Sequence, residues 1–317
     1  MIGQRHLLAG TALAVALLTS GWAYADPFPN APTGPILLHL NDSEQFSATN
    51  DIVGPNNSNP YPAINASCGT APTCTEGNWG IVQVASIQQG VDVIPIGSDV
   101  GGGGPTLFTD RQDGGEQILG IFYGIHLDSV GNPSLASGGV LDLYGFTGSN
   151  QTVTAEINNI ANLTKRTAQD QYSGYTCAGG NTSNCTFLAR LDFVYGANGA
   201  GDTTTTITSP QNPATAPNGT AQSYLSVDTS DPGLWSAALN DNFFTLDPIF
   251  NPLPNTPDVR LTNSFAPGGV WNGPGDIVSL TSSDPGRASP VPEPASLALL
   301  GSALLGFGML ARRRWKK

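Results

Sequence analysis

The chain has 317 residues, enough for one large domain or two modest ones. Charged residues make up 11%, far below the roughly 25% usual for soluble domains, whereas Gly (39) and Pro (25) are abundant. Only three lysines occur, which excludes coiled coils and helical bundles. The 12 basic residues against 24 acidic ones argue against a nucleic-acid partner. This composition predicts a β-rich extracellular protein.

The first 25 residues have the organisation of a secretory signal peptide. An apolar run from Leu7 to Leu18 follows a positively charged start, and Ala23 and Ala25 supply the small residues of a cleavage site. The run is too short for an ordinary membrane span. We therefore predict that signal peptidase cleaves after Ala25 and that an extracellular domain covers residues 26–290.

The C-terminal tail, residues 291–317, has three parts in a fixed order. The tetrapeptide Val291, Pro292, Glu293 and Pro294 is followed by an uncharged apolar stretch at 295–311. The five cations that close the chain are Arg312, Arg313, Arg314, Lys316 and Lys317. The stretch predicts a single transmembrane helix with its basic end on the cytoplasmic side. A plain membrane anchor needs no Pro-Glu-Pro, and a GPI signal ends in its hydrophobic tail.

This tail resembles the PEP-CTERM sorting signal of bacterial exported proteins. Pro292-Glu293-Pro294 stands at the place of the signature tripeptide, and the helix and basic end follow it. The resemblance implies processing by an exosortase, a membrane-embedded, cysteine transpeptidase-like enzyme that releases the protein or attaches it to a surface component. It also implies a transient inner-membrane anchor in a Gram-negative bacterium, followed by the cell surface or extracellular matrix. It assigns no role to residues 26–290.

Four cysteines occur in the predicted extracellular domain: Cys68, Cys74, Cys177 and Cys185. Export places them in an oxidising compartment, where disulfides persist. Four thiols allow three pairings, and we favour the local pairs Cys68–Cys74 and Cys177–Cys185, each closing a short loop. A zinc site is the alternative, but the spacings differ from those of zinc fingers.

Hydrophobic periodicity favours strands through most of the domain, separated by clusters of Gly, Pro, Asn and Asp. The predicted strands are 79–87, 91–96, 116–127, 140–146, 187–195, 224–227, 259–261 and 276–280. Helical turns are predicted at 153–165 and 232–239, and residues 197–221 as a long loop or flexible insert. Many short strands with little helix predict a mainly β fold, an antiparallel β-sandwich or jelly roll with long loops.

The domain is strongly acidic, with 23 acidic and six basic residues and a net charge of −17. Such a surface repels anionic polymers unless divalent cations bridge them, although solubility alone also explains it. Carboxylates cluster around a glycine run, and Ca²⁺ prefers Asp oxygens and loop carbonyls. The residues of this candidate Ca²⁺ site are Asp99, Asp110, Asp113 and Glu116, with solvated carboxylates as the alternative. We expect no other cofactor.

The sequence carries no recognisable catalytic motif. Its two domain histidines, His39 and His126, lie in no metal-ligand spacing, and nucleophile-elbow and phosphate-binding motifs are absent. We therefore predict a non-enzymatic cell-surface or matrix protein with a role in exopolysaccharide, biofilm or floc structure, or in adhesion. Extracellular polysaccharide is its expected partner, besides exosortase and signal peptidase.

Two alternative functions remain open. Exposed aromatic side chains on a sandwich fold would bind sugars, which predicts a secreted lectin-like module, although core packing is the plainer role for them. The aromatic residues concerned are Tyr61, Trp79, Tyr172, Tyr175, Trp235 and Trp271. A secreted glycoside hydrolase is the second alternative, and it requires two carboxylates that converge in a cleft.

Overall fold

The computed structural model describes most of the predicted extracellular domain. The described residues are 34–50, 52, 76–93, 99–101, 103–111, 115–177, 180–199, 201–215, 218–246, 255–273 and 276–288. The side chains at 91–93, 99–101, 245, 246, 284 and 285 are not described. The predicted signal peptide, the sorting tail, Cys68 and Cys74 lie outside the described residues.

Most of the described chain is β-strand. The strands are β1 (Ile36–Phe46), β2 (Asn78–Gln89), β3 (Val91–Val93), β4 (Asp99–Gly101), β5 (Thr106–Thr109), β6 (Gln117–Ser129), β7 (Ser134–Phe146), β8 (Arg166–Ala168), β9 (Gln171–Tyr172), β10 (Cys185–Val194), β11 (Ile207–Ser209), β12 (Gly219–Val227), β13 (Val259–Pro267) and β14 (Val278–Ala288). Each of the eight predicted strands overlaps one of these, with residues 94–96 of the second lying outside the described residues, which confirms a mainly β, antiparallel fold. The sequence does not predict β1.

Helical structure in the described residues is short. It comprises α1 (Val153–Ile157), α2 (Ser236–Leu239) and 3₁₀ turns at Ile160–Lys165 and Phe243–Leu246. The helix predicted at 153–165 is interrupted because Asn159 is extended and its side chain accepts a hydrogen bond from the Ala161 amide, which starts a new turn. Across the described ranges, we find no helix with the length and apolar character needed to cross a membrane.

The main sheet closes on itself. Its order is β1-β14-β13-β12-β10-β7-β6-β2, and β2 pairs again with β1, so that eight antiparallel strands form a ring. β5 adds to β2, and β11 fits between β7 and β12. Two small hairpins, β3–β4 and β8–β9, lie apart from the ring. Closure pairs both sides of every ring strand and so leaves no long free edge among them.

The ring differs from the predicted sandwich or jelly roll, in which two separate sheets face each other. β1 pairs along its whole length with β14 on one side and with β2 on the other, so the sheet is continuous. Alternation of apolar and polar residues records which face of a strand is buried, but it does not record which strands pair. The same pattern therefore fits two facing sheets and one closed sheet.

Residues 197–221, predicted as a long loop or flexible insert, are mostly turns and irregular chain where they are described, but they also contain a short strand. β11 lies inside this segment, and β12 begins within it. Asp202 organises the turn before β11 by accepting hydrogen bonds from the amides of Asn198, Thr204 and Thr205. Polar side chains that bond to the backbone produce no periodic pattern of apolar residues. The composition of the segment is therefore typical of a loop.

An apolar core covers the outer face of β1, β2 and β6 beneath α1 and the following 3₁₀ turn. Trp79 and Trp271 stack at its centre, with ring centroids 5.6 Å apart and planes 18° from parallel. The buried residues of this outer core are Ile52, Trp79, Ile81, Leu119, Ile121, Val153, Ile157, Leu163, Tyr172, Tyr175, Trp271 and Ile277. The sheet is thus packed on both sides here, and its inner face lines the ring interior.

Candidate functional site

The interior of the ring contains a cavity of about 100 Å³ that is partly open to solvent. Most of its wall is apolar, including Leu40, Phe46, Val82, Phe122, Leu141, Phe193, Ile207, Leu261 and Phe265. The polar part of the wall includes Asp42, Glu44, Asn78, Ser223 and Asn263. A concave, mostly apolar space with a few converging polar groups is the usual form of a small-molecule site.

The cavity lies at one end of the ring. Phe46, at the end of β1, lines it and is paired with Asn78 at the start of β2 and Val278 at the start of β14. At the other end of the ring, Ile36 at the start of β1 pairs with Ala288 at the end of β14. The described chain therefore enters and leaves the ring at the end away from the cavity.

Two carboxyl groups share the cavity wall. Asp42 and Glu44 are two residues apart in β1, so both side chains point to the interior, where they are 3% and 5% exposed. Asn78 Nδ2 donates to Glu44 Oε2 at 2.8 Å, and the Ser282 amide donates to Asp42 Oδ1 at 3.0 Å. Burial, reinforced by the charge of Asp42, raises the pKa of Glu44 to about 8, against the opposing effect of the Asn78 hydrogen bond. Glu44 is therefore mostly protonated at neutral pH.

The described cavity wall contains no cationic side chain. Asp42 and Glu44 are its two titratable residues, and the strand neighbours of Glu44 are Leu280 on β14 and Gly80 on β2. A Cβ atom on Gly80 would lie 2.6 Å from the ring of Phe122, so the glycine leaves room for that ring in the wall. The two carboxyl groups thus lie in a mostly apolar cavity whose described wall contains acidic but no basic residues.

The outer face of β1 holds the acidic pair in position through polar contacts with the outer core. Gln45 Nε2 donates to the Trp271 carbonyl at 2.6 Å, and Gln45 Oε1 accepts from Trp79 Nε1 at 3.0 Å. Ser43 Oγ donates to the Val153 carbonyl at 3.4 Å. β1 therefore buries polar side chains on both faces, and the hydrophobic alternation that identifies a strand is lost.

Sequence reasoning missed Asp42 and Glu44 for this reason. The residues stand in a polar run, 41–45, which is typical of a loop in the primary sequence. The available signal is the apolar bracket around that run, from Ile36 to Leu38 before it and Phe46 after it. That bracket fits a buried strand only when both faces of the strand are covered.

A second group of buried charge ties β6, β7 and β10 together on the outer face of the ring. Asp142 is completely buried, and its carboxylate accepts hydrogen bonds from Arg190 Nε and Nη2, both at 2.8 Å, and from the Tyr123 hydroxyl at 3.1 Å. Arg190 also pairs with the exposed Asp231 at 2.8 Å. Burial raises the pKa of Asp142, and Arg190 opposes the rise. The carboxylate is engaged within the protein, which indicates a cross-strand tether.

The candidate Ca²⁺ residues are described only in part. Asp110 accepts hydrogen bonds of 2.7 to 2.9 Å from three side chains. These donors are Gln83, Arg111 and Gln117. Glu116 is half-buried just before β6, whereas Asp113 and the side chain of Asp99 lie outside the described residues. Within the part of the chain that the structure describes, no three His, Cys, Asp or Glu side chains converge to hold a metal. The Ca²⁺ site stays a prediction.

The Cys177–Cys185 disulfide is confirmed. The two Cα atoms are 5.6 Å apart, and the bond closes a loop with a sequence separation of eight just before β10. Cys185 is buried and begins β10, so the bond joins this strand to the loop that leads into it. The Cys68–Cys74 pairing stays a prediction because both residues lie outside the described part.

The aromatic residues considered as sugar platforms are buried where they are described. Trp79, Tyr172, Tyr175, Trp235 and Trp271 are each at most 1% exposed. Four of them belong to the outer core, where they pack against one another. Their role in the described chain is packing, since a sugar cannot stack on a buried ring, and Tyr61 lies outside the described residues.

The fold and the cavity define a predominantly antiparallel β protein whose closed sheet encloses an acidic site with apolar walls. Residues 290–314 match the family of the PEP-CTERM protein-sorting motif. The match includes Pro292-Glu293-Pro294 and the first three arginines of the basic end, so the tail carries a PEP-CTERM sorting motif, which indicates exosortase-dependent export. No curated protein and no solved structure matches the chain.

Proposed function

We propose that this protein is a non-enzymatic component of the bacterial cell surface or extracellular matrix, exported and sorted by an exosortase. Its role would be in exopolysaccharide, biofilm or floc structure, or in adhesion. The observation that carries the proposal is the match of residues 290–314 to the sorting motif. The acidic, Gly-rich and Pro-rich composition supports an extracellular setting.

The position of the motif relative to the ring supports processing next to the folded domain. β14 ends at Ala288, and the matched motif begins at residue 290. The apolar stretch 295–311 would hold the chain in the inner membrane until the exosortase cuts near the motif. The cavity lies at the end of the ring away from Ala288, so this end would face the surroundings while the tail is held.

The nature of the cavity favours this role over the lectin-like module and the glycoside hydrolase. Asp42 and Glu44 are two carboxyl groups inside one cavity, which is the arrangement that a hydrolase requires. A sugar, however, needs hydrogen-bond partners for many hydroxyl groups, and this wall is mostly apolar. The buried aromatic residues likewise offer no stacking platform in the described chain.

Sorting is tested by the mass of the surface form. In the native host, we expect the wild-type surface protein to end near residues 290–294 and to lack the basic residues 312–317. The double variant Pro292→Ala/Pro294→Ala should keep these residues and accumulate in the membrane fraction, whereas Pro232→Ala, at an exposed position in the domain, should be processed normally. A wild-type surface form that still carries Arg312 to Lys317 would refute the proposal.

Partnership with polysaccharide is tested by a pull-down with the host's extracellular polymer, with and without EDTA. The net charge of −17 repels an anionic polymer, so Ca²⁺ bridging should make its binding sensitive to EDTA. Binding that survives EDTA would instead indicate a neutral or cationic polymer as the partner. An absence of binding under both conditions would count against the matrix role.

A further inference from the structure

The ring interior combines two properties that a packed core does not normally share. The wall of the cavity is apolar on most sides, but it buries the carboxyl groups of Asp42 and Glu44 next to each other. Taking a carboxylate out of water costs free energy unless hydrogen bonds or an opposite charge offset the loss. The cavity is also partly open, so an external molecule can reach these groups.

The hydrogen bonds of Glu44 leave its carboxyl group only partly satisfied by the described chain. Asn78 donates to Oε2, whereas no ion pair joins Glu44 to a described cation. An ionised carboxylate has room for about four hydrogen bonds. When Glu44 is ionised, no described cation in the wall balances its charge, and this agrees with the raised pKa of Glu44.

We propose that the cavity binds a small organic ammonium ion, with its nitrogen at Asp42 and Glu44 and its apolar body between Phe122, Leu141 and Phe265. An ammonium group donates up to three hydrogen bonds and brings a positive charge to a described wall that has two acidic residues and no basic one. The apolar wall takes the hydrocarbon body out of water, at a gain of roughly 25 cal/mol per Å². The acidic pair and the apolar wall therefore favour the same class of ligand, a small organic ammonium ion.

Cavity size and donor set argue against other ligands. The volume of about 100 Å³ is below the roughly 150 Å³ of an apolar cavity that holds one benzene, so the body has only a few carbons. Ca²⁺ requires six to eight oxygen ligands, and the apolar wall cannot provide that shell. An anionic ligand such as a fatty acid would meet two carboxyl groups and no cation.

The binding test uses three ligands that share one four-carbon body but differ in charge: n-butylamine, 1-butanol and butyrate. The full chain, held in lipid nanodiscs, is titrated with each at pH 8.5 by ligand-observed NMR, with empty nanodiscs as the blank. We expect butylammonium to bind at least about tenfold more tightly than 1-butanol, and butyrate not to bind. The affinity for butylammonium should weaken at pH 6, because Glu44 is then protonated and neutral. Asp42 is the other titratable residue of the described wall.

The variant test assigns the binding to the cavity. Glu44→Gln keeps the shape of the side chain and removes its charge, so butylammonium affinity should fall at least about tenfold, while 1-butanol is unaffected. Asp231→Asn removes an exposed carboxylate from the outer face and should leave both affinities unchanged. Preference for 1-butanol or butyrate, absence of binding by all three ligands, or displacement of butylammonium by millimolar CaCl₂ would each overturn the proposal. If Glu44→Gln fails to fold, the comparison of the three ligands on the wild-type chain still tests the proposal.

Discussion

Arg166 and Glu76 form a buried, two-pronged ion pair although they are 90 residues apart in the sequence. Arg166 Nη1 donates to Glu76 Oε2 at 2.8 Å and Nη2 donates to Oε1 at 3.1 Å, with side chains that are 0% and 2% exposed. The guanidinium carbon also lies 4.1 Å from the centre of the Trp79 ring. The pair therefore joins β8 to the chain before β2 at the edge of the outer core.

Breaking this pair should be costly. Arg166→Met leaves Glu76 buried without its cation, so we expect the free energy of unfolding to fall by about 3–5 kcal/mol, measured by urea unfolding followed by Trp fluorescence. The double variant Glu76→Gln/Arg166→Met removes both charges and should recover much of this loss. A cost below about 1 kcal/mol for Arg166→Met would show that the pair does not hold the structure.

Arg190 should stabilise the folded protein mainly through its ion pair with Asp142 and much less through its ion pair with Asp231. Arg190→Met removes the cation beside a fully buried carboxylate, and we expect a loss of about 3 kcal/mol in unfolding free energy. Asp231 is 52% exposed, so Asp231→Asn should lower the unfolding free energy by at most about 1 kcal/mol. Equal losses in the two variants, measured by urea unfolding under identical conditions, would contradict this division.

Glu44 should make the folded state less stable as the pH rises. Its pKa is about 8 in the folded protein against a usual value of 4.5, so the native state holds the proton more tightly than the unfolded chain. The resulting stabilisation is complete below pH 4.5 and is lost as the pH rises to about 8.

Comparison with a variant isolates this effect from other titrations. Glu44→Gln mimics the protonated side chain, so its unfolding free energy relative to the wild type should increase between pH 4.5 and 8 and then level off. Pro232→Ala, at an exposed position without a titratable group, should show no such divergence. A constant difference between wild type and Glu44→Gln across pH 4–9 would contradict a raised pKa.

The Cys177–Cys185 bond should stabilise the domain modestly because its loop is short. Replacing both residues by Ser should lower the unfolding free energy by about 2 kcal/mol in oxidising buffer. Reductant should lower the stability of the wild type by a similar amount. Any effect of reductant that remains in the variant reports on Cys68 and Cys74, which gives a direct test of the second predicted pair. An unchanged unfolding midpoint in the variant would contradict the first expectation.

The strands that could be predicted are those with a local apolar pattern, either alternating or continuous as in β6. β10 illustrates this, since Leu191 is buried in a run bounded by turn residues, and its signal is contained within ten residues. β1 could not be predicted because Ser43 and Gln45 are buried by the outer core while Asp42 and Glu44 face the cavity. Burial of polar residues on both faces depends on segments far away in the sequence.

The candidate site, like β1, depends on contacts between segments that are far apart in the sequence. The apolar wall around the cavity carboxyl groups is assembled by eight strands and β11, so burial, the main cause of the raised pKa of Glu44, is not local in the sequence. Only the smaller effect of Asp42, two residues away, is local. The carboxylates near the glycine run were more conspicuous in the sequence. Of these, Asp110 accepts hydrogen bonds from the adjacent Arg111 and from Gln83 and Gln117, and the last two reach it only in the folded chain.

The sequence by itself determined the low and uneven charge, the β-rich class and the sorting motif. Six of the 12 basic residues lie in the two ends, and the tail is recognised because tripeptide, apolar stretch and arginines are contiguous. Only the tertiary structure decided that the sheet closes, because closure requires Ile36 to pair with Ala288 across the whole domain. The cavity and its acidic pair follow from that closure, since a ring of strands has an interior that no single strand specifies.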